Sequence, residues 1–408
     1  MIVSNYGIVA APQFLASQAG ARILEAGGNA VDAAIAANAV VGLTQPYVNG
    51  IGGDLFAIYY EAKTGKVYGL NASGWTPKAL TVDYLKSIGV EKLDSISVHT
   101  ITVPGAVAGW EALRKRFGTM GFRQLLSPAI FYAENGFPMP EWGARSWVSQ
   151  RLLKQPGFAD TYTPGGKRPK VGDTFKNPAL AESLRQIASG GRDAFYKGKL
   201  AENLVDFLKK HGGTHTKEDF SEYEPEWVEP ISTTYRGWTV YELPPNGQGI
   251  AALSMLNIME LFPLKDYGHN SAAALHVMIE AKKLAYADMA RYVGDPRFNP
   301  IPVKGLLSKD LARNRAQQID MQKAACKVLP SEISEALNAR GRETIYLSTV
   351  DKEGNIVSLI QSNYAGYGTG MVAPGTGFSL HNRGAGFDLK PDLPNSLMGR
   401  KRPLHTII

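Results

Sequence analysis

The strongest constraint on how this chain folds lies near its end, in the stretch GRETIYLSTVDKEGNIVSLIQSNYAGYGTG, residues 341–370. A polar run, 332–342, gives way at Thr344 to alternating β-branched and aromatic residues through Val350, the pattern of a half-buried strand. The turn Asp351-Lys352-Glu353-Gly354-Asn355 follows, then a second strand, Ile356 to Ile360, and a Gly-rich loop. A threonine that opens a strand directly after an exposed loop is placed as an N-terminal nucleophile is. It can attack the preceding carbonyl, cut the chain before itself, and use the freed α-amine as its base. That amine suits the task because its pKa is about 7.7–8.0. Most threonines that open strands are structural, so the local pattern alone leaves both readings of Thr344 standing.

The remaining chain is long enough to surround such a hairpin with a core. It has 408 residues, of which 44% are hydrophobic and 20% charged, and it shows no linker, low-complexity tract or fixed repeat. One large domain built from interdependent parts is expected. The net charge is +7, but the basic residues are scattered among acids, and the densest cluster is Arg400-Lys401-Arg402. That distribution describes a solvated surface that helps to attract anionic substrates, with no nucleic-acid partner. A single cysteine, Cys326, excludes an intramolecular disulfide. No apolar run has the length of a membrane span. The first residues carry no basic and apolar leader pattern, from which a cytoplasmic location is expected.

From the N-terminus, Gly7 to Ala10 reads as a strand and Gln13 to Ala26 as a helix opened by Pro12. Asn29 caps a second helix, Ala30 to Val41, so rich in Ala, Ile and Val that a buried helix hairpin is expected. The glycines of Asn49 to Asp54 lack the spacing of a phosphate loop and read as a close backbone approach beside the strand Leu55 to Tyr60. Val67 to Asn71 returns as its hairpin partner. Helices are expected at Pro104 to Phe117, Phe122 to Asn135, Ile250 to Leu261 and Ala272 to Tyr292. His211 and His215 flank a Gly-Gly turn, and with no acid or cysteine clustered beside them a solvated loop is the better reading than a metal site.

Four blocks then act together: Ala11 to Ala34, Gly50-Ile51-Gly52-Gly53-Asp54, Val103-Pro104-Gly105-Ala106-Val107-Ala108-Gly109, and Thr344 onward. In this order they resemble the γ-glutamyltranspeptidase family, from about residue 7 to the last. The resemblance implies an α+β fold, the N-terminal-nucleophile αββα sandwich of two mostly antiparallel sheets between helical layers. It implies a large-subunit-like region, 1–343, and the start of a small-subunit-like region, 344–408, intertwined as one domain. It also implies cleavage between Glu343 and Thr344, a Thr344 acyl-enzyme, and Ser362 as a second hydroxyl bracing the nucleophile. No metal or organic cofactor is implied. The expected partners are a small amide or γ-glutamyl substrate, and a second copy or the two halves of a processed heterodimer.

Several positions depart from the family pattern. Ser73 stands where relatives use an arginine to grip the substrate carboxylate, and a hydroxyl cannot replace a bidentate guanidinium. Tyr364 stands where relatives carry a substrate-holding Asn, with Asn363 one place earlier as a compensating candidate. Arg383 and Gly386 fall in the segment that binds the ammonium group in relatives, where Gln and Asp are usual. A cation there repels an ammonium and welcomes a carboxylate; the alternative is that Arg383 turns to an acidic neighbour. These substitutions point to a substrate other than glutathione, an oxamate-like or acyl amide bearing a nearby carboxylate. No Gly-Gly pair follows Thr344 to supply the family's oxyanion hole, so the second expectation is a non-catalytic fragment or remnant needing a partner segment.

Overall fold

The computed structural model describes residues 3–331 and 344–407. The chain divides into two compact units, each drawing on segments before and after Thr344. The first comprises 1–227, 342–385 and 398–400; the second comprises 228–341, 386–397 and 401–408.

The first unit is organised on an antiparallel sheet. Its strands are β1 (Gly7–Ala10), β2 (Asp54–Glu61) and β3 (Lys66–Ala72) from the first part of the chain. A two-stranded ribbon, β4 (Phe137–Pro138) with β5 (Thr174–Phe175), lies apart from it. After the short strand β6 (Glu226–Val228) and the hairpin β7 (Ile231–Tyr235) and β8 (Trp238–Glu242) come β9 (Ile345–Asp351) and β10 (Ile356–Ser362). The main sheet has six strands in the order β1-β9-β10-β2-β3-β6. The hairpin that begins beside Thr344 thus sits in the middle, not on an edge.

Its register fixes which side chains share a face. Ile345 opposes Gln361 across β9 and β10, and Ser362 opposes Asp54 across β10 and β2. Because strand side chains alternate, Ile345, Leu347, Thr349, Val357, Leu359, Leu55 and Ala57 line one face, all buried. The helices α1 (Phe14–Glu25) and α2 (Ala30–Thr44) form an antiparallel hairpin, and α2 lies against β9 and β10. Asn29 caps α2 by accepting from the Asp32 amide, while the Asp32 carboxylate returns to the Asn29 N–H. Asp351, at the end of β9, accepts from the Ala30 N–H at 3.1 Å, and Thr349 Oγ1 donates to the Ala30 carbonyl. An anion at the helix N-terminus therefore ties α2 to the strand that starts at Thr344. The opposite face carries Tyr346, Ile360, Phe56 and Ile58, and at its end the row Thr344, Ser362 and Asp54.

In the second unit the β7–β8 hairpin accompanies the helices Gly249–Met259, Ala272–Tyr292 and Lys309–Ala316. Ile250, Ala285, Met289, Val293 and Leu306 form its core. A buried ion pair, Arg315 with Asp288, joins two of these helices. Sequence periodicity locates Gly249–Met259 and Ala272–Tyr292 to within a turn, gives no helix at Lys309–Ala316, and misses the short strands β6 and β7 on either side of Pro230.

Candidate active site

Thr344, half-buried, precedes β9, and its Oγ1 lies 3.3 Å from Ser362 Oγ at the end of β10. Ser362 is buried and accepts two further hydrogen bonds, from the Tyr364 N–H at 2.8 Å and from Arg383 Nη2 at 3.2 Å. Tyr364 reaches this position with φ of +78°, a left-handed backbone that a tyrosine rarely adopts. Its ring lies 4.4 Å from the Arg383 guanidinium carbon, a cation–π contact. Arg383 is fully enclosed. Burial lowers its pKa to about 10, while the negative charge of Asp54 opposes the shift, so it remains a cation at neutral pH.

Asp54 is the buried anion of this cluster. Its Oδ1 accepts from the Gly74 N–H at 2.8 Å, and its Oδ2 stands 3.6 Å from His381 Nδ1. That separation is too long for a hydrogen bond. His381 Nε2 lies 3.0 Å from the Thr102 carbonyl, which requires the donor proton on Nε2. Burial lowers the His381 pKa, so the ring is neutral at pH 7. Asn382 accepts from the Ala365 N–H and donates to the carbonyls of Ser95 and Gly368, holding the loop that carries Tyr364.

The structure brings Thr344, Ser362, Tyr364 and Arg383 together. Asn363 takes a different course. It is buried, and its Nδ2 donates to the Pro46 carbonyl at 3.4 Å among residues of α2 and the 46–51 loop. Strand alternation explains this: the residue after Ser362 leaves the face that Ser362 shares with Thr344. Ser73 is buried, and its hydroxyl donates to Asn71 Oδ1 at 2.7 Å. Gly386 belongs to the second unit, where its carbonyl accepts from Asn395 Nδ2. Glu343, the residue before the expected cleavage point, lies outside the described residues.

Sequence reasoning assigned no role to Asp54 or His381. The signal for Asp54 was its place at the end of the Gly-rich turn, directly before a strand; adding Cβ atoms to Gly52 or Gly53 would meet the Ser379 or Ser362 carbonyls at 2.2 and 2.6 Å. His215 also differs from expectation. It is buried and donates from Nε2 to the Ile101 carbonyl at 3.0 Å, in place of sitting in a solvated loop. No group of metal-binding side chains occurs among the described residues, and none of their helices is long and apolar enough to cross a membrane.

Comparison with known proteins gives a consistent answer. The family model for gamma-glutamyltranspeptidase matches residues 16–408. A glutathione hydrolase-like proenzyme of Bacillus subtilis (strain 168) is 38% identical over 409 residues, covering 100% of this chain and 76% of that protein. The oxamate amidohydrolase proenzyme of Klebsiella pneumoniae is 34% identical, covering 99% of this chain and 76% of its own length. The crystal structure of cephalosporin acylase from Bacillus halodurans superposes with a TM-score of 0.88 at 41% identity, covering 100% of this chain and 74% of that one. With the antiparallel sheets and flanking helices, this likeness bears out the α+β N-terminal-nucleophile fold expected from the sequence.

Proposed function

Because the chain belongs to the gamma-glutamyltranspeptidase family, we propose that it is a self-processing amidohydrolase or acyltransferase whose nucleophile is Thr344. The contact between Thr344 Oγ1 and the buried Ser362 hydroxyl carries this reading. In it, Thr344 Oγ attacks the Glu343 carbonyl. The C–N bond between the two residues breaks as the acyl group shifts to Oγ and the proton passes to the released nitrogen. Water hydrolyses that ester to leave Thr344 with a free α-amine. That amine takes the Thr344 hydroxyl proton as Oγ attacks the amide carbonyl of a substrate. The C–N bond breaks, the amine leaves with the proton, and water or a second amine resolves the ester. Ser362 holds Thr344 Oγ in line, and Ser362 is itself fixed by Tyr364 and Arg383.

The substrate we infer is an acyl amide with a carboxylate near the scissile bond, and not glutathione. Support comes from Arg383, a cation in direct contact with Ser362, and from Ser73, whose hydroxyl is engaged by Asn71. Relatives that include an oxamate amidohydrolase and an acylase are in keeping with a frame that hosts several amide specificities. A side-by-side assay decides it. The kcat/KM for oxamate or an acyl amide of similar charge is expected to exceed that for a γ-glutamyl anilide by at least tenfold. Efficient turnover of the anilide alone overturns the specificity. The second reading, a non-catalytic member of the fold, predicts no Thr344-dependent turnover of either compound.

A further inference from the structure

Beneath the sheet, on the face away from Thr344, the first unit contains a small interior cavity of about 10 Å³. Asn38 of α2, Asn49 and Asn363 all line it. Their relative exposures are 0%, 1% and 2%, and each has one polar atom with no hydrogen-bond partner among the described residues: Asn38 Nδ2, Asn49 Oδ1 and Asn363 Oδ1. Such atoms are costly to bury unpaired, on the order of 1–3 kcal/mol each. Their orientations are settled by the other end of each amide. Asn38 Oδ1 accepts from Trp110 Nε1 at 2.8 Å. Gln361 Nε2 donates to the Gly50 carbonyl, which leaves Gln361 Oε1 to accept from Asn49 Nδ2 at 2.8 Å. Asn363 Nδ2 faces the Pro46 carbonyl. The cavity is therefore lined by one unpaired donor and two unpaired acceptors.

We propose that this cavity is a binding site for one ordered water, which accepts from Asn38 Nδ2 and donates to Asn49 Oδ1 and Asn363 Oδ1. The size fits, since roughly 10–15 Å³ admits a single water and two to four polar partners hold it. The donor pattern selects water over a cation, because no metal ion can accept from an amide N–H. The bound water gives Asn363 a task that the sequence did not suggest. It ties the residue after Ser362 to α2 and to the 45–50 loop from behind, and so restrains the short segment that carries both Ser362 and Tyr364. This inference does not depend on Thr344 being reactive.

A crystal structure of the whole protein to better than about 2 Å tests it. The expected result is one isolated peak within hydrogen-bond distance of all three amide atoms. A cavity without density, a peak that refines as a metal ion, or amides rotated to pair with one another overturns the proposal. Asn38→Leu and Asn363→Leu provide a second measurement, through thermal melting of both single variants and the double. A shared water makes the losses strongly non-additive, the double variant melting close to the worse single one. Additive losses contradict it.

Discussion

At the scale of single residues, the candidate site is a hydroxyl pair under a buried cation. Ser362 receives two N–H donors while touching Thr344, so its position is over-determined by the loop around it. Replacing Ser362 by Ala removes this brace but leaves Thr344 in place. We expect Thr344-dependent turnover to fall about tenfold, the equivalent of ~1.4 kcal/mol, with the protein still folded by circular dichroism. Unchanged turnover would mean that the pair is incidental. Arg383 is the residue that sets specificity on this account. Arg383→Gln is expected to lower kcat/KM for a carboxylate-bearing amide at least tenfold more than for a neutral amide of the same acyl length. Equal losses on both substrates would restrict Arg383 to holding Ser362.

At the scale of elements, the site depends on how β9 is anchored. Asp351 accepts from the Ala30 N–H and from the amides of Glu353 and Asn355, so one carboxylate caps α2 and closes the β9–β10 turn. Asp351→Ala should destabilise the fold by ~2–3 kcal/mol, from lost charge-assisted hydrogen bonds, read as a lower denaturant midpoint. A midpoint equal to the wild type's contradicts this anchoring. Here the sequence was informative where periodicity is strong. The alternation in 344–350 and 356–360 located β9 and β10, and Asn29 marked the start of α2 correctly. It was uninformative where the outcome depends on contacts distant in the chain. Period-two alternation separates Ser362 from Asn363, but no local feature tells which of them faces Thr344. That Asp54 comes opposite Ser362 is a consequence of pairing β2 between β3 and β10.

At the scale of the whole molecule, burial of ionisable groups sets the acid limit of stability. His215 is fully buried, and burial lowers its pKa to about 4, against Asp219 and the Ile101 carbonyl, which favour the charged form. Between that value and the ordinary histidine pKa of about 6.5, the unfolded chain binds a proton that the folded one refuses. Stability from this group is complete above about pH 6.5 and is lost as the pH falls toward 4. Urea midpoints at pH 7.5 and pH 5 should therefore differ more for the wild type than for His215→Gln; parallel behaviour of the two proteins would remove His215 from the account. The division into two units that each use residues from both sides of Thr344 carries a further consequence. Cleavage before Thr344 leaves β9 and β10 between β1 and β2, so the two pieces should stay associated after processing.

The central claim, that Thr344 is a self-activating nucleophile, is tested most directly by the intact mass of the purified chain beside a Thr344→Ala variant. The wild type is expected to resolve under denaturing conditions into pieces of roughly 37 and 7 kDa, by residue share of 44.2 kDa, while the variant stays whole. Both proteins remaining at 44.2 kDa after long incubation would contradict the claim and leave the non-catalytic reading in its place.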